Sequence, residues 1–164
     1  MFHLPVSARA MKFALAVVAA LAASACAKNG DESQFGAGAG TPGSQQDFAT
    51  NVGDRVFFET DSSELTSTAQ ATLSKQAAWL TRYANYSFTV EGHADERGTR
   101  EYNFALGARR AQAAHDFLVS KGISASRMRT VSYGKERPVA TCDDISCWSQ
   151  NRRAVTVLSG APAS

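Results

Sequence analysis

Asp95 and Arg110 are the two residues of this sequence whose types and spacing could act together on a small molecule. Asp95 lies in a polar stretch running from Gly92 to Thr99. Asn103, Leu106 and Arg110 follow at steps of three, four and seven, which places them on one face of a helix. Gly98 lets the intervening turn take backbone angles that other residues resist. A loop carboxylate facing a helix guanidinium suits a zwitterion, with the ammonium on Asp95 and the carboxylate on the planar fork of Arg110. The same two groups could instead pair with each other or lie apart on a wet surface. Asp61 and Glu59, in a polar turn, are candidates for a rim, as are Arg152 and Arg153 after Asn151; Arg109 is a further neighbour.

Catalysis is the competing chemistry. His93, Asp95 and Glu96 lie close together in sequence, but consecutive turn residues point in different directions, whereas a metal needs convergent ligands. A glycosidase needs two facing carboxylates, which adjacent Asp95 and Glu96 do not provide. No Ser–His–Asp set stands out, so no catalytic residue is assigned.

Several elements must hold these groups. Arg55 to Phe58 reads as a short strand, Leu65 to Tyr83 as a helix capped by Thr66 or Ser67, and Ser87 to Glu91 as a second strand. Leu65, Ala69, Leu73, Gln76/Ala77 and Leu80 recur at helical spacing and form a core stripe. Glu101 to Lys121 is the second helix, ended by Gly122, with Tyr102, Leu106, Ala113, Phe117 and Leu118 expected to face inward. Ser126 to Tyr133 and Arg153 to Leu158 complete the strands. The order βαβαββ predicts an α+β fold: a mixed sheet with two helices packed on one face and the last two strands antiparallel.

Outside this domain, 51–160, the chain changes character. Lys12 precedes thirteen uncharged residues, Phe13 to Ala25, the pattern of a signal peptide over 1–25, with Met1 or Met11 as the start. That segment is short of the ~20 apolar residues of a membrane span. Small residues before Cys26 resemble a bacterial lipobox, which predicts lipidation of Cys26. The rest of 26–50 is rich in Gly, Ser and Gln and reads as a flexible linker averaging ~25–30 Å; 161–164 is a tail. Arg9 and Lys12 are lost with the signal, so the whole-chain 17 basic and 15 acidic residues become 15 and 15. A near-neutral chain argues against nucleic acid as a partner.

The run G-H-A-D-E-R-G-T-R-E-Y-N-F-A-L-G-A-R-R-A, Gly92 to Ala111, resembles the signature of the OmpA C-terminal-like peptidoglycan-binding domains. The likeness continues through Val131–Pro138 and Asn151–Val155, covers roughly Arg55 to Leu158, and is strongest to the lipoprotein branch that works with the Tol proteins. Gly107 departs from it, standing where the wider family usually has Ser. The resemblance implies a non-enzymatic domain without cofactor or metal that binds peptidoglycan through the diaminopimelate of the stem peptide. Asp95 would take the ammonium and Arg110 the carboxylate. Asn103 would orient the loop or bond the ligand, Gly98 would let backbone approach, and Leu106 and Asp61 would complete the site. It also implies outer-membrane anchoring on the periplasmic face and binding to TolB and other Tol proteins. On this reading Asp95→Ala and Arg110→Ala abolish wall binding and leave the fold unchanged.

With Cys26 lipidated, Cys142 and Cys147 form an even pair in an exported chain, which predicts a disulfide. Two thiols as metal ligands are the alternative, but His93 and His115 are expected elsewhere.

Overall fold

The computed structural model describes residues 40–160. The expected signal peptide, Cys26, the first part of the expected linker and the 161–164 tail lie outside the described residues. The elements are α1 (Gln45–Asp47), which runs into a π-helical turn (Phe48–Gly53), then β1 (Arg55–Phe57), α2 (Ser67–Arg82), β2 (Ser87–His93) and α3 (Arg100–Ser120). A 3-10 turn (Ala125–Arg127), β3 (Met128–Gly134), α4 (Ile145–Asn151) and β4 (Arg153–Ser159) follow. Among the described residues, no helix is long and apolar enough to cross a membrane.

The four strands form one mixed sheet in the order β1–β4–β2–β3. β4 is antiparallel to both neighbours, with Val56 opposite Ala154 and Val90 opposite Thr156; β2 and β3 are parallel. The last two strands do run in opposite directions, but β2 separates them, and β4 has slotted into the interior of the sheet. Strand alternation defines the covered face. Val56, Phe58, Phe88, Val90, Met128 and Ala154 are buried there with Leu73, Leu80, Ala111, Ala114 and Leu118 from the two long helices. Buried Gln76 binds the Gly53 carbonyl and accepts from Thr156, so this polar core residue is fully used.

α2 begins where the Thr66 hydroxyl accepts from the Ala69 amide. It ends against Arg127, whose guanidinium donates to the carbonyls of Leu80, Tyr83 and Tyr86 and satisfies groups that a helix end leaves open. On α3 the buried face is Leu106, Arg110, Ala111, Ala114 and Leu118; Tyr102 is exposed and Phe117 only partly buried, contrary to the inward placement expected of Tyr102.

The domain starts earlier than residue 51. Phe48 is fully buried against Trp79, and the Asp47 carboxylate accepts from Trp79 Nε1 (2.8 Å), the Gly43 amide and Asn51. The Tyr86 hydroxyl donates to the Gly43 carbonyl. Residues 43–50 therefore belong to the fold, not to a linker. One buried Phe contributes about 2 kcal/mol, and its partners lie some thirty residues away, so local composition could not register it.

Candidate functional site

Of the expected ligand residues, Asp61, Asp95, Gly98, Asn103 and Leu106 meet at the C-terminal end of β2, whereas Arg110 is not on the lining. A cleft of about 280 Å³ opens there, walled by Thr60 and Asp61 from the loop after β1, by Asp95, Arg97 and Gly98, and by Tyr102, Asn103 and Leu106 from the start of α3. A larger groove of about 540 Å³ lies beside β1 and α2. Its walls are mostly Thr, Val, Phe and Ala, with two of the rim candidates, Glu59 and Arg152, among them, but neither Asp95 nor Arg110 reaches it.

The local folding of the loop follows from its residues. Gly98 sits at φ +87°, and the next residue, Thr99, caps α3 by accepting from the Tyr102 amide. Asn103 is buried and its Nδ2 donates to the Arg97 carbonyl at 2.7 Å, which ties the start of α3 to the loop. Lys135 donates to the Glu96 and Gly98 carbonyls from the far side. Asp61 has φ +56° and accepts from the Tyr102 hydroxyl, which brings that exposed ring into the wall.

Asp95 is buried and ion-paired twice, to Arg97 Nη2 at 2.7 Å and to Arg152 Nη1 at 3.4 Å. Burial alone would raise its pKa, but the Arg97 side chain, backbone amide and charge, with Arg152, outweigh burial and hold the carboxyl below the usual carboxylate range. Two acids, Asp61 and Asp95, on one small cleft suit a cationic group.

Arg110 and Asp95 lie close but do not bond each other. Arg110 is fully buried behind the wall. Its Nε donates to the Ser62 carbonyl (2.8 Å), Nη1 to His93 (2.8 Å) and Nη2 to Glu59 (3.2 Å). Burial pulls its pKa down to about 10, against the opposing charge of Asp95. A guanidinium has five N–H groups, so one hydrogen on each terminal nitrogen is uncommitted. Arg110 thus ties three backbone carbonyls together as well as being a candidate ligand, which argues against the expectation that removing it leaves the fold unchanged.

Arg152 reaches the site from behind, through Asp95 and the Phe58 carbonyl. Arg153 does not: strand alternation turns it to the other sheet face, where it binds the carbonyls of Asn151 and Arg137. Arg109 lies over the Tyr102 ring at 6.0 Å. The Gly107 position is filled by a neighbour: Ser132 Oγ donates to the Phe104 carbonyl where a Gly107 side chain would stand.

His93 is likewise directed away from the cleft. Its ring is buried beside Tyr133, with neither nitrogen hydrogen-bonded and Glu91 at 3.7 Å. Burial, with the charges of Arg153 and Arg137, lowers its pKa from 6.5 to about 4. Such a histidine folds neutral, so the unfolded chain binds the extra proton first. Its effect is nil above pH 6.5, and stability falls as pH drops from 6.5 toward 4, by at most about 3 kcal/mol at ~1.4 kcal/mol per pKa unit. Thermal unfolding across that window is expected to show the fall, and His93→Phe to flatten it.

Cys142 and Cys147 form the expected disulfide, Cα–Cα 5.6 Å. Among the described residues the one cluster of potential metal ligands is this pair with Asp144, and its sulfurs are spent on each other. Cys147 lies in α4, a helix that the loop reading of this stretch did not include, although Asp144, whose carboxylate accepts from the Ser146 amide, is a recognisable helix cap.

The α+β frame thus carries a small cleft with a buried, doubly ion-paired acid, Asp95, on its lining. A profile of the OmpA family matches residues 57–152. The chain is 66% identical over 154 residues to the peptidoglycan-associated lipoprotein of Agrobacterium fabrum, covering 90% of this chain and 87% of that one. It is 44% identical to the protein of the same name from Pseudomonas aeruginosa, covering 85% and 91%. The crystal structure of the peptidoglycan-associated lipoprotein from Burkholderia pseudomallei superposes with TM-score 0.63 at 40% identity, over 65% of this chain and 90% of that one. The C-terminal domain of Helicobacter pylori MotB shares the fold alone, with TM-score 0.62 at 21% identity over 66% and 85%. This chain belongs to the OmpA family, among its peptidoglycan-associated lipoproteins.

Proposed function

We propose that this protein binds peptidoglycan non-covalently through the diaminopimelate side chain of the stem peptide and ties the outer membrane to the wall. The observation that carries this is the ionised, buried Asp95 at a cleft only about 280 Å³ in size, with a second acid, Asp61, on its wall. The ligand ammonium goes to Asp95. The adjoining carboxylate goes to the uncommitted N–H groups of Arg110, and Leu106 packs against the methylene chain. Names of the close relatives support the ligand class. The lipid on Cys26 supplies the membrane end, on the periplasmic face of the outer membrane. More than one acyl chain makes such anchoring stable.

The proposed role is binding, not catalysis: a general acid needs a raised pKa, and Asp95 is held low with two guanidinium groups beside it, which does not suit that role. TolB and other Tol proteins are the protein partners, with the TolB surface overlapping the wall site. In the family's pattern this connects the protein to envelope integrity and division.

Asp95→Ala is expected to remove co-sedimentation with purified sacculi while the circular dichroism spectrum stays that of the parent. Undiminished binding by this variant overturns the ligand assignment. Purified TolB is expected to displace the domain from sacculi; simultaneous full binding of both counts against a shared surface.

A further inference from the structure

We propose that Trp148 is a positioning residue for the wall-binding loop, and that the Cys142–Cys147 disulfide serves the site by holding the short helix that carries it. This rests on the ligand reading above.

The chain of contacts is continuous. Arg97 grips Asp95 at two points, Nη2 to Oδ2 at 2.7 Å and Nε to Oδ1 at 3.2 Å, and its own amide donates to Oδ1. The guanidinium carbon lies 4.1 Å from the centre of the Trp148 ring, a stacked cation–π contact. The indole N–H of Trp148 donates to the Glu96 carboxylate. One side chain from α4 therefore contacts both residues that follow the acid. These contacts come from 51 and 52 positions further along the chain, so nothing local to the loop supplies them.

α4 has only seven residues and little propensity to stand alone. It is pinned at both ends. Cys147, next to Trp148, is buried and bonded to Cys142. At the other end Asn151 accepts from the Val139 amide at 2.9 Å and donates to the Ala140 carbonyl at 2.8 Å. Arg152 then reaches Asp95 directly at 3.4 Å. The disulfide fixes the first half of the helix through Cys147, the neighbour of the central Trp148, and Asn151 and Arg152 fix its C-terminal end.

Arg97 competes with a ligand ammonium for the same carboxylate, so binding must move that guanidinium off Asp95. Trp148 gives the displaced cation a face to remain on, and its bond to Glu96 keeps the loop backbone in place. Without the indole, ligand binding must also order Arg97 and the loop. Ordering one or two such side chains corresponds to a loss of about tenfold in affinity.

The test compares the full mature protein with Trp148→Ala, Trp148→Phe, the double variant Cys142→Ser/Cys147→Ser, the combination of that pair with Trp148→Ala, and Asp95→Ala. Affinity for sacculi is read by co-sedimentation, with free diaminopimelic acid as competitor, at a temperature where circular dichroism shows every variant folded. We expect Trp148→Ala and the disulfide-free protein each to bind about tenfold more weakly. Trp148→Phe, which keeps the stacking face, is expected to recover part of the loss. The combined variant is expected to be no weaker than Trp148→Ala alone, because both changes break the same link. Parent-like affinity in either Trp148→Ala or the disulfide-free protein overturns the inference, and so do losses that simply add. If Asp95→Ala loses binding while these variants keep it, only this inference fails. If Asp95→Ala also binds, the ligand reading fails first and takes this inference with it.

Discussion

Arg110→Met is expected to destabilise the domain by on the order of 5 kcal/mol and to abolish wall binding with it. The substitution strips three carbonyls, those of Ser62, Glu59 and His93, of their charged donor inside the protein. An unsatisfied buried group costs about 1–3 kcal/mol, and a whole domain is stable by only about 5–15 kcal/mol. Two of the three carbonyls belong to the loop that carries Asp61, so the cleft wall loosens before the core does. A ledger of this size lowers the thermal midpoint by roughly 15 °C or more. Arg110→Lys is milder but still damaging, since one ammonium cannot span three divergent carbonyls as a planar fork does. Thermal unfolding followed by circular dichroism measures both. A midpoint within two or three degrees of the parent for Arg110→Met would show that the carbonyl cage is not structural. Because loss of Arg110 is expected to disturb the fold as well as the proposed ligand contact, Asp95 is the cleaner probe of binding.

Gly92→Ala is expected to be the most damaging single methyl in the domain. β2 and α3 meet back to back at two glycines. A Cβ on Gly92 would stand 1.8 Å from the Gly107 carbonyl oxygen and 2.6 Å from its carbon. Those are backbone atoms of a 21-residue helix, so relief requires moving the helix that supplies Asn103, Leu106 and Arg110. Overpacking typically costs about 1–3 kcal/mol when side chains can yield; here they cannot, and the loss should exceed that range. Gly107→Ala is the informative comparison. Its Cβ meets Ser132 Oγ at 2.5 Å, a group that can rotate, and the Gly92 oxygen at 2.9 Å. Urea midpoints should rank the parent above Gly107→Ala and Gly107→Ala above Gly92→Ala. The reverse order would mean that the helix gives way more readily than the hydroxyl.

Local pattern carried most of the frame. The apolar alternation of Phe88 and Val90, the Thr66 cap and the Gly122 stop, at φ +90°, all describe what a few neighbouring residues do. Long-range partnership was illegible by the same logic. Phe48 and Asp47 looked like linker because Trp79 is their partner. The register of β4 between β1 and β2 depends on pairing choices that alternation alone does not make. At the candidate site, Asn103, Leu106 and Arg110 are grouped by helical spacing, and Asp95 and Gly98 by the polar turn before the helix. Tyr102 was assigned inward because an aromatic at that spacing usually is; its tie to Asp61 across the cleft reversed it. Arg97 and Trp148 had no signal, since one is an ordinary loop charge and the other sits in a helix too short to show a period. Arg152 was named for the rim and acts from behind, against Asp95 and Phe58.

The place of β4 has a bearing on how this chain comes together. Synthesis proceeds from the N-terminus, yet the two earliest strands share no neighbour until Arg153–Ser159 has emerged to lie between them. Until then β1 and β2 each present an open hydrogen-bonding edge, and the apolar face beneath them has a gap in its middle. Completion of the domain is therefore gated by its final dozen residues. A chain cut short there, even with every cleft residue already made, lacks the strand that closes the sheet.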